Sequence, residues 1–261
     1  MTNTTAAKPR TLACTLALGV AIASASAAAQ TIHAEETQTV TSLNTAAAAD
    51  TLTLQQQAIL PIAAFAAAGD IAKLNAALNH GLDAGLTVSD AREVLVQLYA
   101  YAGFPRSLNA LTELMTVIDA RKQRGIQDAP GREPSHAIPK GDALRAAGAT
   151  NQTKLVGQTV QGPIFDFAPP IGEYLQAHLF GAIFERDNLD WQSRELATVG
   201  MLSALPGAEA QLQGHLRYSM NTGLTSQQMQ QAVQVLDKRV GADSGRRAGE
   251  SLAKVLAAQS R

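Results

Sequence analysis

The chain has 261 residues, and its 21 Lys and Arg nearly balance its 22 Asp and Glu, which gives a formal net charge of -1. No long run of one sign interrupts this balance, so the sequence lacks the electrostatic signature of a nucleic-acid-binding protein. Hydrophobic residues make up 46% but aromatic residues only 4%, and long β-branched alternations are missing. This composition predicts an all-α protein whose helices approach closely through small side chains.

Residues 1–29 have the pattern of a signal peptide. Lys8 and Arg10 precede an uncharged run over residues 12–29 that closes on three alanines, the kind of site that a signal peptidase accepts. A membrane anchor is the alternative, but the strongly apolar part, residues 12–22, is shorter than the roughly 20 residues that a span requires. We therefore expect export, to the periplasm or by secretion, with no membrane attachment after cleavage. Cleavage would also remove Cys14, the only cysteine.

Helices are predicted after a leader over residues 30–51, which is rich in Thr, Ala and Gln and is expected to be flexible. Gly69 and Gly85 close the first two helices, and Thr87 opens the third in a capping-box pattern. Gly and Pro residues then mark residues 122–139 as an exposed linker. The helices predicted before this linker cover residues 54–68, 71–83, 87–103 and 107–121.

A second series of helices follows the linker. Its first member is weak, because Gly148 and several Thr, Asn and Gln residues lower the helix propensity there. Pro169 and Pro170 introduce the next helix, and Thr225 with Gln228 forms another capping box. The predicted helices cover residues 142–155, 171–184, 191–205, 209–221, 229–240 and 246–258.

The two series are copies of one helical unit. Residues 69–114 align with residues 207–252 without a gap, and the matches fall on apolar residues and on the Gly and Thr that bound helices. The titratable residues differ, since His215 aligns with Ala77 and, after a one-residue shift, Glu195 aligns with Ala58. We therefore predict a supporting first repeat over residues 52–121 and a functional second repeat over residues 140–261.

Glu195 and His215 are the candidate catalytic residues. They lie about 20 residues apart on two helices joined by the short Pro206-Gly207 corner, and antiparallel packing of such helices brings the two positions together. A carboxylate beside an imidazole on an apolar interface supplies a proton donor and a proton acceptor near neutral pH. Alternatively, His215 lies on the surface and Glu195 stabilises the dipole of its helix.

Several short runs of the second copy resemble the carboxymuconolactone decarboxylase family, which belongs to the alkylhydroperoxidase D-like superfamily. They cover residues 170–181, 194–198, 202–205, 207–209, 215–217 and 221–225, and residues 101–105 of the first copy are similar to the end of the same domain. The resemblance implies a duplicated helical-hairpin domain. It also implies a homo-oligomer of the trimer or hexamer type, in which a two-copy chain serves as two subunits.

The resemblance implies one of two chemistries. Peroxidase members of the superfamily use a C-x-x-C pair one turn before the histidine, but residues 209–213 read Glu-Ala-Gln-Leu-Gln here, so peroxidase activity is not expected. Decarboxylase members keep the glutamate and the histidine. The implied activity is decarboxylation or proton transfer on a small lactone or carbonyl acid, with His215 as acid and base, Glu195 as its partner, and neither a metal nor an organic cofactor.

Four further residues are candidates for substrate binding. Arg194 and Arg217 are weak candidates for binding a substrate carboxylate, because both are expected on a solvated helix surface. His178 lines the same pocket or packs on a helix seam, and Tyr101 of the first copy is predicted to complete the pocket, from the same or a neighbouring subunit. Two alternatives stay open, a non-catalytic small-molecule binder or structural module, and a metal site formed by His178, Glu195 and His215.

Overall fold

The computed structural model describes residues 50–259 of the chain. The predicted signal peptide and almost all of the predicted leader lie outside the described residues. Between residues 50 and 259 the chain forms helices and no strand, which confirms the all-α prediction. No helix in this part of the chain is long and apolar enough to cross a bilayer.

The first copy forms five helices. The first two predicted helices are present, and the helix predicted over residues 87–103 is divided at Leu98 into two. The last predicted helix begins earlier than expected, at Phe104, because Pro105 fits the first turn of a helix instead of ending the preceding turn. The helices are α1 (Leu54–Ala68), α2 (Ile71–Asp83), α3 (Val88–Gln97), α4 (Tyr99–Ala102) and α5 (Phe104–Gln123).

The second half of the chain forms seven α-helices and one π-helix. The helix predicted over residues 171–184 is in fact a short α-helix that continues as a π-helix, and one further short helix was not predicted. The elements are α6 (Gly141–Val156), α7 (Pro163–Phe167), α8 (Pro169–Tyr174), the π-helix (Leu175–Ile183), α9 (Trp191–Ser203), α10 (Glu209–Asn221), α11 (Ser226–Arg239) and α12 (Ala242–Gln259).

The helix bounds repeat between the two copies. A single offset along the chain relates the first residues of α2 and α10, of α3 and α11, and of α5 and α12. The side chains of Thr87 and Thr225 cap α3 and α11 in identical capping boxes, and Gly85 and Gly223 both adopt positive φ angles just before them. The duplication read in the sequence is therefore present in the backbone.

The two copies pack against each other through α1 and α9. Residues 58–67 of α1 and residues 193–203 of α9 are all buried, so these two helices form the centre of the core. Gly200 permits this close approach, because a Cβ atom there would lie 2.6 Å from the carbonyl oxygen of Leu60 and 3.0 Å from the Cβ of Ala63.

A buried ion-pair network also joins the copies. Glu93 of α3 has no exposed surface and binds Arg186 at 2.6 Å and Arg194 of α9 at 3.0 Å. Burial alone raises the pKa of Glu93, but the hydrogen bonds from Arg186 and the charge of Arg194 more than offset it and lower this pKa to about 2. The carboxylate therefore stays ionised in the folded protein.

The linker between the copies is bound to the first copy through its backbone. The first two amides of α3, those of Val88 and Ser89, donate hydrogen bonds to the carbonyl oxygens of Ala129 and Pro130 at 2.9 and 3.0 Å. The first amides of a helix have no partner within the helix itself, so the linker completes the start of α3. Most of the linker side chains are nevertheless exposed, as predicted.

We predict that Gly200→Ala lowers the free energy of unfolding by about 1–3 kcal/mol, because the added methyl group collides with the backbone of Leu60. Urea-induced unfolding measures this change. Gly214→Ala is the matched control, since a Cβ there would meet only the Tyr218 side chain, at 3.5 Å from its hydroxyl oxygen, and it should stabilise α10 by up to about 1 kcal/mol. Equal stability of the Gly200→Ala variant and the parent protein would contradict the close packing of α1 and α9.

A second prediction concerns Glu93. Its folded pKa of about 2 lies below the ordinary value of 4.5, so its contribution to stability is fully present above about pH 4.5 and is lost as the pH falls towards 2. At neutral pH, Glu93→Gln should cost about 3–5 kcal/mol, because it leaves Arg194 buried without a counter-ion. Unfolding measured from pH 7 to pH 3 should show a smaller loss on acidification for Glu93→Gln than for the parent. The exposed control Glu250→Gln should match the parent throughout.

Candidate functional site

Glu195 and His215 meet inside the second copy. Glu195 lies in the second turn of α9 and His215 lies in the middle of α10, and the Nδ1 atom of His215 is 2.8 Å from the Oε2 atom of Glu195. The Glu195 side chain is fully buried and His215 is 8% exposed. The two side chains predicted to meet across these antiparallel helices are therefore in direct contact, and neither lies free on the surface.

The contact orients the imidazole and assigns different roles to its two nitrogen atoms. With Glu195 ionised, Nδ1 of His215 carries a proton and donates it to the carboxylate, which leaves Nε2 as the atom that can accept or deliver a proton. Nε2 makes no hydrogen bond with residues 50–259. The pair therefore has the arrangement of a general base held in place by a carboxylate.

Two tyrosine rings flank His215. Tyr101 comes from α4 of the first copy and meets the imidazole edge to face at 5.5 Å, while Tyr218 comes from α10, one turn after His215, and meets it at 5.2 Å. Burial and the charge of Glu195 raise the pKa of Tyr101 well above its ordinary value. Its hydroxyl group is therefore protonated at neutral pH, and both copies contribute to the surroundings of His215.

Three buried polar atoms near this pair have no hydrogen-bond partner among the described residues, namely Oη of Tyr101, Oε1 of Glu195 and Nε of Arg194. Buried polar atoms in proteins are nearly always hydrogen-bonded, so each such atom needs an explanation. Here a donor hydroxyl and an acceptor oxygen belong to the two side chains that contact or flank the site. They can bind a small polar group or water.

Arg194 is not on the surface, and the expectation that it lies there was wrong. It is fully buried and bonded to Glu93 at 3.0 Å, to the carbonyl oxygen of Arg186 at 2.7 Å and to Gln97 at 3.3 Å. The partners Glu93 and Gln97 lie about a hundred residues away in the first copy, and no local pattern around Arg194 reveals them. Its guanidinium group forms an ion pair with Glu93, which Arg186 shares.

Arg217 occupies the exposed helix surface that was expected for it. Its guanidinium group lies over the ring of Tyr218 at 5.3 Å, within the range of a cation–π contact. Arg217 thus contacts a ring that itself contacts His215, so it lies beside the pair without touching it.

His178 lies in the π-helix and lines a neighbouring groove with Tyr99 and Tyr174, and the lining of this groove includes neither Glu195 nor His215. The structure therefore brings Tyr101, Glu195 and His215 together and leaves His178 in the adjacent groove. Among residues 50–259 no three His, Cys, Asp or Glu side chains converge as metal ligands, so the alternative site built from His178, Glu195 and His215 does not form.

Glu93 and Gln97, which bind α9 next to Glu195, were not predicted from the sequence. Gln97 of α3 donates to the hydroxyl oxygen of Thr198 at 2.8 Å and to the carbonyl oxygen of Arg194 at 3.0 Å, and Glu93 binds Arg194 from the same helix face. A signal was present, since Glu93 and Gln97 stand four residues apart within the apolar pattern of α3. Polar residues at such positions are buried only when they have partners.

Comparison with known proteins identifies the family. The sequence model of the carboxymuconolactone decarboxylase family matches residues 34–114 and residues 169–248, one match in each copy and together more than half of the chain. The sequence matches none of the curated proteins with which it was compared. Both family matches contain the corresponding helical hairpins, α1–α2 in the first copy and α9–α10 in the second. The chain therefore belongs to the carboxymuconolactone decarboxylase family, as a member in which the family sequence occurs twice.

Proposed function

We propose that this protein decarboxylates a small lactone or carbonyl acid without a cofactor. Its side chains carry out the proton transfer that this reaction needs. One observation carries the proposal, the buried contact of 2.8 Å between Glu195 and His215 in a member of this family. His215 is the proposed acid and base, and Glu195 is its partner. The tyrosine rings flank the imidazole on both sides, and His215 is only 8% exposed.

The proposed steps need only these side chains. The bond between the substrate carboxylate and its neighbouring carbon breaks, carbon dioxide leaves, and the electron pair spreads into the unsaturated system as an enolate. Protonated Nε2 of His215 then delivers its proton to that carbon, and the neutral imidazole takes a new proton from water. Glu195 stabilises the charged imidazole before the transfer.

Tyr101 is the residue through which the first copy contributes to the same site. Its hydroxyl group is buried and protonated, and it lies beside the Thr198 hydroxyl group without a hydrogen bond of normal geometry to any described residue. It can therefore donate a hydrogen bond to a substrate oxygen or to Oε1 of Glu195. Arg194 is not proposed to bind the substrate carboxylate, because its guanidinium group is fully buried and already bound to Glu93.

Peroxidase chemistry of the superfamily type is not proposed. That chemistry needs a pair of thiols, and Cys14 is the only cysteine in the sequence. Residues 209–213, which precede His215 at the position of the C-x-x-C motif, contain none.

Oligomerisation and export remain part of the proposal. Two large apolar side chains of α7 are exposed, Phe167 at 88% and Ile164 at 58%, and exposed apolar side chains of this kind are typical of a protein interface. The same side chains support the second candidate function, an oligomeric binding module without catalysis. Substitution of His215 separates the two functions.

We predict that His215→Ala lowers turnover at least about 100-fold, because it removes the proposed general acid. Small unsaturated lactones and keto acids are incubated in deuterium oxide, and NMR records loss of the carboxyl group and uptake of deuterium at carbon. His80→Ala is the matched control, since His80 lies on the equivalent helix of the first copy and contacts Arg239 instead. Ligand binding without turnover in both the parent and His215→Ala would support the binding module.

For Tyr101→Phe we expect a fall in turnover of about 10-fold or more, with little change in thermal stability, because the ring is kept and only an unpaired hydroxyl is lost. The same NMR assay and a thermal melt measure the two effects. Tyr174→Phe serves as the control at an exposed tyrosine. Unchanged turnover and unchanged ligand binding in Tyr101→Phe would show that the first copy contributes no functional group to the site.

A further inference from the structure

A groove of about 320 Å³ lies between α4 of the first copy and the segment where α8 continues as the π-helix. Its walls include the rings of Tyr99, Tyr174 and His178 and the apolar side chains of Ile171, Leu175 and Leu179. Sites for small molecules range from about 300 to 1,000 Å³. The groove is therefore at the small end of this range and has room for one compound with a single ring.

One aromatic wall is held by a contact outside the groove, and the other by a contact within it. The ring of Tyr99 stacks on Phe104, with centroids 4.7 Å apart and planes within 8° of parallel, so one of its faces is covered. The ring of Tyr174 stands edge-on to His178 at 5.9 Å. The stacked ring of Tyr99 therefore loses little freedom when a flat ligand packs against it, whereas Tyr174 is 59% exposed and gains a covered face when the ligand binds.

The lining contains one side chain suited to an acidic group. None of the residues that line the groove is Asp, Glu, Lys or Arg. No fixed negative charge therefore repels an acidic ligand, and no fixed positive charge attracts it. The imidazole of His178 can donate a hydrogen bond to a carboxylate in either of its charge states. A second carboxylate on the ligand would have no counterpart among these residues.

The backbone supplies an independent sign of function. His178 lies in a π-helix of nine residues, Leu175–Ile183, and π-helical turns are rare and occur often at functional sites. The π-helix is also held rigidly by α6, because a Cβ atom at Gly148 would overlap the carbonyl oxygen of Gln176. The position of His178 is therefore fixed by close backbone packing.

We propose that this groove binds a flat, single-ring carboxylic acid, with the ring between Tyr99 and Tyr174 and the carboxylate on His178. The site is distinct from the Glu195–His215 pair, because the short helix α4 presents Tyr99 to the groove and Tyr101 to His215. Binding in the groove does not depend on the proposed proton transfer, so the two proposals can fail separately.

Benzoate tests the proposal as the probe, with binding to the full chain measured by isothermal titration calorimetry. We expect one benzoate per chain. Cyclohexanecarboxylate keeps the acid but not the flat ring and should bind about 5-fold more weakly. Benzyl alcohol keeps the ring but not the charge and should bind about 10-fold more weakly.

Variants locate the bound benzoate. His178→Ala should weaken binding about 10-fold or more, and His178→Gln, which keeps a hydrogen-bond donor, should restore part of it. Tyr174→Ala should weaken binding about 5-fold while Tyr174→Phe binds as the parent does. His215→Ala should bind benzoate with unchanged affinity, even if it abolishes turnover.

Three results would overturn the proposal. The first is no heat of benzoate binding to a folded chain, and the second is binding that the His178 and Tyr174 variants leave unchanged. The third is loss of binding in His215→Ala, which would put the ligand at the catalytic pair. If Tyr174→Ala instead lowers the molecular mass of the assembly in sedimentation and benzoate does not bind, a second copy of the chain occupies the groove.

Discussion

Two adjacent residues of α9 need partners on opposite sides, and this requirement organises the molecule. Arg194 is paired with Glu93 of the first copy, and Glu195 is paired with His215 of the second. All four side chains are at least nine-tenths buried, and a charge left unpaired at such depth is costly. The packing of α9 between the copies is therefore fixed by polar contacts as well as by apolar ones. Because Glu195 belongs to α9, the same contacts hold it in position beside His215.

The two copies share a scaffold but differ where chemistry is concerned. Ala58 and Ala77 occupy the positions of Glu195 and His215 in the first copy. The residues equivalent to Tyr101 and Tyr218 are Arg239 and His80, which lie 3.0 Å apart. The same helical arrangement thus brings two side chains together at both places, but only the second copy contains the carboxylate and the imidazole. The first copy thus lacks the titratable pair but provides the contacts that support the second.

The sequence alone predicts the helices with clear end signals and the contact between Glu195 and His215. Thr87, Thr225 and the glycines that precede them mark helix ends by local physics, and the Pro206-Gly207 corner forces α9 and α10 to pack as neighbours. The π-helix and the burial of Arg194 were not predictable in this way. Apolar spacing does not distinguish an α-helical turn from a π-helical turn, and Arg194 is buried only because Glu93, far away along the chain, reaches it.

The linker has a consequence for how the first copy is held together. The carbonyl oxygens of Ala129 and Pro130 complete the start of α3, the helix that also carries Glu93 and Gln97. A cut within the linker would leave this segment as a chain end, held at α3 by those two hydrogen bonds and by side-chain contacts such as that between Arg121 and Asp128. The linker is therefore a structural component of the first copy as well as its connection to the second.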